Sequence, residues 1–152
     1  MDARKIWTIE INEAEVFARC TNDSLYQAYN RTEDNQKGDA LVIQEDDRGQ
    51  FQRYYAVAIA ELTMLLARNM REPLYGCGCD EEGKAVFDLF MDENCDNNIK
   101  PILITHCYEY VVTRVLEQWY KADLGSYYSK SEINHCLHYR KNPVRRRLGP
   151  LF

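Results

Sequence analysis

The chain has 152 residues, 45% of them hydrophobic, and we expect a single domain that buries a core without help from a metal or a disulfide. Its formal net charge of −5 conceals an acidic body, since the residues before Ile133 carry 14 basic and 24 acidic side chains, and such a body argues against broad nucleic-acid binding. We expect neither a signal peptide nor a membrane-spanning helix, and in the cytosol the six cysteines would stay reduced.

The first predicted elements are a short strand and a helix. Residues 5–11, KIWTIEI, alternate apolar and polar side chains, which predicts a strand with one buried face. Asn12 can cap a helix that runs to about Tyr29, and Glu15, three residues later, makes a variant of the capping box. The candidate buried residues of this helix are Phe17, Cys20, Ser24 or Leu25, and Ala28.

A polar loop and a second helix follow. Residues 30–38 are all polar or glycine, and the brief apolar run 40–44 favours a strand. The helix from Gln50 to about Met70 has a clear spacing of three and four residues between its apolar positions, and Pro73 ends it. Its buried positions are expected to be Phe51, Tyr55, Ala58, Leu62, Leu65 and Asn69.

The pattern then changes to that of β structure. Two short apolar segments flank the turn DEEG, which predicts a β-hairpin over about 73–91. A third helix runs from about Asn98 to Lys121, because Pro101 is tolerated only in a first helical turn. Apolar residues lie on both sides of its stripe, so we expect this to be the central helix of the fold.

A fourth helix is predicted from about Ser126 to Tyr139, after which an Asn-Pro pair stops it. Its buried residues are expected to be Tyr127 or Tyr128, Ile133, and Cys136 or Leu137. The predicted fold is therefore mainly α, a helical bundle of about four helices with a small inserted β-hairpin. Residues 1–141 form this single domain, and residues 142–152 form an extended C-terminal arm.

Cys77 and Cys79, in the sequence CGC, are the strongest candidates for metal chemistry, because thiolates bind zinc and other soft metals. Structural zinc sites usually use two pairs of ligands with wider spacing, and no second cysteine pair follows. Residues two apart in a strand point to the same side, so both thiols can simply share a face. We therefore expect free thiols and no cofactor. In the metal alternative, the residues that could complete the ligand set are Cys95, His106, Cys107, His135 and His138.

No catalytic motif is apparent in the sequence. His106 and Cys107 are adjacent and would diverge on a helix, and the two remaining histidines lack an orienting carboxylate at a clear spacing. G-x-S-x-G, a phosphate-binding glycine loop and H-E-x-x-H are all missing. The acidic runs 45–47 and 92–94 match no calcium loop and are expected to cap helices. We expect a protein that is not an enzyme.

The segment NPVRRRLGPLF places three arginines among apolar residues. Two prolines and a glycine keep it extended, which lowers the cost of ordering it on binding, and the arginines can pair with carboxylates. A merely solvated terminus is the alternative, but such a tail does not need an apolar end. We predict a docking arm. Its partner-binding residues are Pro143, Val144, Arg145, Arg146, Arg147, Leu148, Leu151 and Phe152.

The order of these segments resembles that of head–tail connector proteins, the neck adaptors of tailed bacteriophages. The resemblance covers residues 46–147. It is carried by a long helix after an acidic break (QEDDRGQFQRYYAVAIAELTMLL), by VFDLFMDENCDNN, by YVVTRVLEQWYKAD, and by a last helix that continues into HYRKNPVRRR. The inserted hairpin departs from the purely helical members of the family.

The resemblance implies a virion structural protein, made in the host cytoplasm and located at the portal vertex. Such proteins form a homo-oligomeric ring, commonly a dodecamer, whose partners are the portal protein and another neck or tail protein. Genomic DNA passes through the lumen without sequence-specific binding, and an acidic lumen would let it slide. The resemblance also assigns the arm, residues 143–152, to docking on the portal or an adjacent subunit.

Two other functions stay open. One is a different neck component, a stopper or tail-completion protein, which differs from a connector in the proteins above and below it. The other is a small metal- or redox-responsive regulator built around Cys77 and Cys79, with the basic arm touching nucleic acid.

Overall fold

The computed structural model describes residues 4–31, 42–70 and 84–139, which contain four α-helices and two β-strands. In chain order these elements are β1 (Arg4–Asn12), α1 (Glu13–Arg31), α2 (Arg48–Leu66), β2 (Lys84–Asp92), α3 (Ile99–Tyr120) and α4 (Ser126–His138). Short 3-10 helices, Glu45–Asp47 and Ala67–Asn69, lie directly before and after α2. The predicted fold class is confirmed: mainly α, with four helices and a small antiparallel pair of strands. No helix in these ranges has the length and hydropathy that a membrane span requires.

The two strands form an antiparallel sheet with one apolar face. The buried pairs across it are Trp7 and Leu89, Ile9 and Phe87, and Ile11 and Ala85. The alternation that predicted a strand over residues 5–11 thus marks a buried face. The hairpin expected over 73–91 supplies β2, but the partner of β2 is β1, far away in the sequence. The first segment of that hairpin falls within 71–83, outside the described residues.

α3 is the central helix, as predicted, and it packs against α1, α2, α4 and β1. Its fully buried residues are Leu103, Cys107, Val111 and Val115. The core face of α2 is also confirmed in its main positions, which are Phe51, Tyr55, Ala58 and Leu62. Leu65 and Asn69, at the end of that stripe, are half-buried. Apolar spacing therefore located the two helices that contribute most to the core.

The prediction of a strand over residues 40–44 is wrong for the part that the structure describes. Val42 and Ile43 are buried but belong to no strand, and they lead into the 3-10 helix before α2. The backbone N–H of Ile43 donates to Ser24 Oγ at 3.0 Å, so a side chain of α1 takes the place of a neighbouring strand. This contact also satisfies the buried Ser24 hydroxyl.

Asn12 caps α1 as predicted, but Glu15 does not make the return contact to Asn12 that a capping box requires. Asn12 Oδ1 accepts hydrogen bonds from the backbone N–H of Ala14 at 2.9 Å and of Glu15 at 3.4 Å. The Glu15 carboxylate instead pairs with Arg19 at 2.7 Å, and the N–H of Asn12 donates to the Tyr108 hydroxyl at 2.9 Å. A contact with α3 therefore helps to fix the start of α1.

Buried side chains were predicted less well at the helices with weak apolar stripes. In α1 the choice between Ser24 and Leu25 is settled for Ser24, which is fully buried, whereas Leu25 is 41% exposed. The prediction that Tyr127 or Tyr128 is buried is wrong, since they are 66% and 68% exposed. The buried face of α4 consists of Ser129, Ile133, Cys136 and Leu137. This face follows the spacing of three and four residues, and neither tyrosine lies on it.

Candidate functional site

The two main candidate sites predicted from the sequence lie outside the described residues. These are the pair Cys77 and Cys79 and the arm residues Pro143, Val144, Arg145, Arg146, Arg147, Leu148, Leu151 and Phe152. Their predicted roles therefore stay predictions. The described residues contain the other four cysteines, all three histidines, a polar cluster between α2, α3 and α4, and a surface groove between α2 and α4.

The described cysteines are free, buried thiols. Burial raises the pKa of Cys20 to about 12, with the nearby charge of Asp23 adding to the effect. Burial also raises the pKa of Cys107 to about 12, and it raises the pKa of Cys136 above its ordinary value. Since the thiolate is the nucleophile and the metal ligand, these three cysteines are poorly suited to either role near neutral pH.

The histidines are spread over two helices. His106 is half-buried while Cys107 points into the core, so the two side chains diverge as expected. His106 Nδ1 lies 3.9 Å from Glu109 Oε2, beyond hydrogen-bond distance. His138 Nδ1 lies 2.8 Å from the backbone oxygen of Asn134 in its own helix. Within 4–31, 42–70 and 84–139, no group of three or more His, Cys, Asp and Glu side chains could hold a metal ion.

The acidic run 45–47 has the helix-terminal role that was expected of it, whereas the run 92–94 does not. Glu45 makes a bidentate pair with Arg48, at 2.7 Å to Nε and 3.1 Å to Nη2. Asp47 Oδ2 accepts a hydrogen bond from the backbone N–H of Gln44 at 2.9 Å and so caps the start of the 3-10 helix before α2. Asp92, at the end of β2, accepts from a backbone N–H two residues later at 3.2 Å. The prediction that residues 92–94 cap a helix is therefore wrong, because Asp92 stabilises the turn after β2 and α3 begins only at Ile99.

The main polar cluster joins the middle of α2 to α3. Glu61 accepts hydrogen bonds from Arg114, 2.8 Å from Nε to Oε2 and 3.2 Å from Nη2 to Oε1, and from the Tyr110 hydroxyl at 2.9 Å. The pKa of Glu61 is lowered, chiefly by the hydrogen bond from Arg114, while burial opposes this. The pKa of Tyr110 is raised by burial and by Glu61, so its hydroxyl remains a donor. The donors of Arg114 and Tyr110 are thus paired with the carboxylate oxygens of Glu61, and these hydrogen bonds hold α2 against α3.

The cluster continues to the start of α4 through Glu117, which is 8% exposed. Its Oε2 accepts from the backbone N–H of Leu124 at 2.8 Å and of Ser126 at 3.2 Å, and its Oε1 accepts from Ser126 Oγ at 2.6 Å. Burial raises the pKa of Glu117, but these hydrogen bonds outweigh burial and lower it. Glu117 thus caps α4 from another helix.

The turn that Glu117 holds depends on a glycine. Gly125 has φ of 89°, in the left-handed region where residues with a Cβ are strained. The turn between α3 and α4 therefore requires both a glycine and a carboxylate that reaches it from α3. This cluster was not predicted from the sequence. The only local sign of it was the spacing of Tyr110, Arg114 and Glu117, which places them on one side of a helix.

Acidification is expected to destabilise the protein through Glu61 and Glu117. Both carboxyls have a pKa below the ordinary 4.5 in the folded chain, so their stabilising contribution is present above 4.5 and is lost as the pH falls through the folded-state pKa. Urea unfolding of the natural chain and of Glu61→Gln, from neutral to acidic pH, measures this. The variant should lose less free energy of unfolding on acidification. Parallel profiles would show that Glu61 makes no pH-dependent contribution.

A groove with a volume of about 410 Å³ opens between α2 and α4. Its apolar lining comes from Leu65, which is half-buried, and Ile133, which is buried. The remaining lining residues are exposed and lie on one face of α4: Tyr127, Lys130, Ser131 and Asn134. Because the core supplies part of the lining and the surface of α4 supplies the rest, apolar and polar groups of a ligand could both be accommodated.

Several large apolar and aromatic side chains project from different helices. Tyr26 on α1, Met64 on α2, and Tyr127 and Tyr128 on α4 are each about two-thirds or more exposed. The two neighbouring tyrosine rings are 6.4 Å apart, centroid to centroid, in an edge-on arrangement. Tyr55, by contrast, is part of the core. Exposed tyrosines suit protein–protein contacts, because the ring is apolar and the hydroxyl stays hydrated.

Comparison with known proteins gives no relative for this chain. No family model, no curated protein and no solved structure matches it significantly.

Proposed function

We propose that the chain is a non-enzymatic virion structural protein, a head–tail connector that forms a ring at the portal vertex. The observation that carries the proposal is the order of the segments: a long helix after an acidic break, a strand ending in an acidic, Asn-rich turn, a central helix, and a last helix that runs into a basic and apolar arm. The helices and the strand of this series are α2, β2, α3 and α4.

The distribution of exposed side chains supports a ring. In a head-to-tail ring every copy uses two different surfaces, one for each neighbour. Tyr26 on α1 and the pair Tyr127 and Tyr128 on α4 are exposed on separate helices, each of which packs against the central α3. Exposed tyrosines on separate helices suit contacts of this heterologous kind.

The charge distribution suits the passage of DNA. The body has a net charge of −10 when the five basic residues after Ile133 are set apart. A ring lumen formed by such a body repels phosphate groups, so DNA can slide through it without sequence-specific binding. The basic arm, in contrast, suits an acidic surface on the portal protein or on an adjacent subunit.

Deletion of residues 143–152 is expected to leave the fold intact and to abolish stable attachment to the portal protein. The arm follows α4, and residues 4–31, 42–70 and 84–139 form a shared core among themselves. The experiment is a pull-down with the full chain and with the deletion variant against the products of the flanking genes, read by mass spectrometry, with circular dichroism to confirm folding.

Matched variants of the arm separate charge from apolar contact. One replaces Arg145, Arg146 and Arg147 by Gln, and the other replaces Leu148, Leu151 and Phe152 by Ser. Each is expected to weaken attachment, the first more strongly at low salt. Capture of a stopper or tail protein in place of the portal would indicate another neck component. Equal attachment of the full chain and the deletion variant would refute the docking role of the arm.

A further inference from the structure

The groove between α2 and α4 has apolar lining and is open to solvent. We propose that in the free chain it holds the apolar residues of the same chain's C-terminal arm, within 144–152. The proposal concerns a contact inside one chain and does not depend on the connector function. Its consequence for assembly rests on the connector function.

The chemistry of the groove matches the apolar part of the arm better than the basic part. Leu65 and Ile133 offer apolar surface, while Lys130 contributes a positive charge that disfavours an arginine in the same place. The arm residues that fit are Val144, Leu148, Leu151 and Phe152. A volume of about 410 Å³ lies near the lower end of ligand pockets, so it suits a few side chains of an extended segment. Ser131 and Asn134 can hydrogen-bond its backbone.

The arm is long enough to reach the groove of its own chain. The groove residues on α4 precede Tyr139, the last described residue, by 5 to 12 positions, which is roughly 8–18 Å along a helix. The nine residues from Arg140 to Leu148 can span up to roughly 30 Å when extended. The Asn142-Pro143 pair favours a turn after α4, and a turn there allows the arm to reverse its direction.

Covalent attachment favours the chain's own arm over that of another copy. A segment joined by a short linker has an effective concentration on the order of millimolar at a site within reach. A second copy at micromolar concentration therefore competes poorly for the same groove. Since the apolar residues cannot occupy the groove and a partner at once, attachment of a connector to its portal would require the arm to leave the groove. The groove would then delay attachment until a surface with higher affinity is present.

Photo-cross-linking of the full chain tests the contact. p-Benzoylphenylalanine replaces Leu151, an equal mixture of isotopically heavy and light chains is irradiated at low concentration, and cross-linked peptides are identified by mass spectrometry. We expect cross-links to the segment around Leu65 or to residues 127–134, within single chains. Cross-links only elsewhere, or mainly between heavy and light chains, would overturn the proposal. The second outcome would indicate that the arm of another copy is the occupant.

Neighbouring tyrosines provide a matched pair of variants. Tyr127 lines the groove and Tyr128 does not, although the two are almost equally exposed. Tyr127→Ala, and Ser131→Arg at an exposed position, should lower the yield of these cross-links several-fold, whereas Tyr128→Ala should leave it nearly unchanged. Equal yields in all three variants would refute the proposal, provided that circular dichroism shows them folded.

The pull-down and the cross-linking can fail independently. A chain whose arm cross-links to its own groove but binds no portal protein would keep this proposal and refute the connector function. A chain that binds the portal through its arm without such cross-links would do the reverse. If both hold, the groove variants Tyr127→Ala and Ser131→Arg should attach to the portal faster than the natural chain, because their arm is already released.

Discussion

Phe87→Ala is expected to destabilise the protein by about 3–5 kcal/mol, the range typical of a truncated core phenylalanine. Phe87 is fully buried in β2, directly opposite Ile9 of β1, and belongs to the main hydrophobic core. Removal of its ring leaves a cavity between the sheet and the helices that the surrounding side chains can only partly fill. Urea unfolding followed by circular dichroism measures the loss in the free energy of unfolding.

Phe90→Ala is the matched control, because the same residue type lies three positions further along the same strand. Successive side chains of a strand point to opposite faces, so Phe90 lies on the outer face beside Ile6, and it is only half-buried. Its truncation should cost well under half as much as that of Phe87. Equal costs would mean that the two faces of β2 are buried alike, which contradicts the alternating burial along this strand.

Phe87 and Phe90 illustrate how much of this fold can be predicted from the sequence. Alternation along β1 and β2 and the three-to-four spacing of α2 and α3 each mark a buried face, and both patterns are local. The pairing of β1 with β2 is not local, since the two segments are about 80 positions apart and nothing in either one specifies the other. The turn DEEG predicted a nearer partner, which lies outside the described residues, whereas the described partner of β2 is β1.

Weak patterns explain the side chains that were placed less well. The stripe of α1 admits either Ser24 or Leu25, and Ser24 is buried because the N–H of Ile43 requires a hydrogen-bond acceptor there. At the start of α4, tyrosines suggested a buried face, but aromatic residues also occupy surfaces that contact other proteins. Their exposure beside the groove is the feature on which the proposals about surface contacts depend.

Polar clusters between helices were beyond prediction for a different reason. In the sequence, Glu61, Arg114 and Glu117 cannot be distinguished from ordinary charged residues on an exposed helix face. Most charged residues on helices are solvated. Only the crossing of α2 with α3 and the tight turn before α4 bring their partners within hydrogen-bond distance. A sequence pattern along one helix contains no information about such crossings.

Glu117→Ala is expected to destabilise the protein by about 1–3 kcal/mol, the cost of leaving polar groups without their hydrogen-bond partner. The substitution removes the acceptor from the N–H groups of Leu124 and Ser126 and from the Ser126 hydroxyl. The residue at the N-cap position of α4 is Gly125, which has no side chain to replace it. Urea unfolding gives the global loss. Hydrogen exchange should show an additional loss of protection confined to the start of α4.

Glu109→Ala is the control within the same helix, because the Glu109 side chain is 56% exposed and α3 has the same helical context there. A surface substitution of this kind is expected to change the free energy of unfolding by less than about 0.5 kcal/mol. If Glu117→Ala is equally mild, the turn between α3 and α4 is held without the carboxylate. If it frays the start of α4 as expected, Tyr127 and the groove lose their support, and cross-linking of the arm should fall together with the hydrogen-exchange protection.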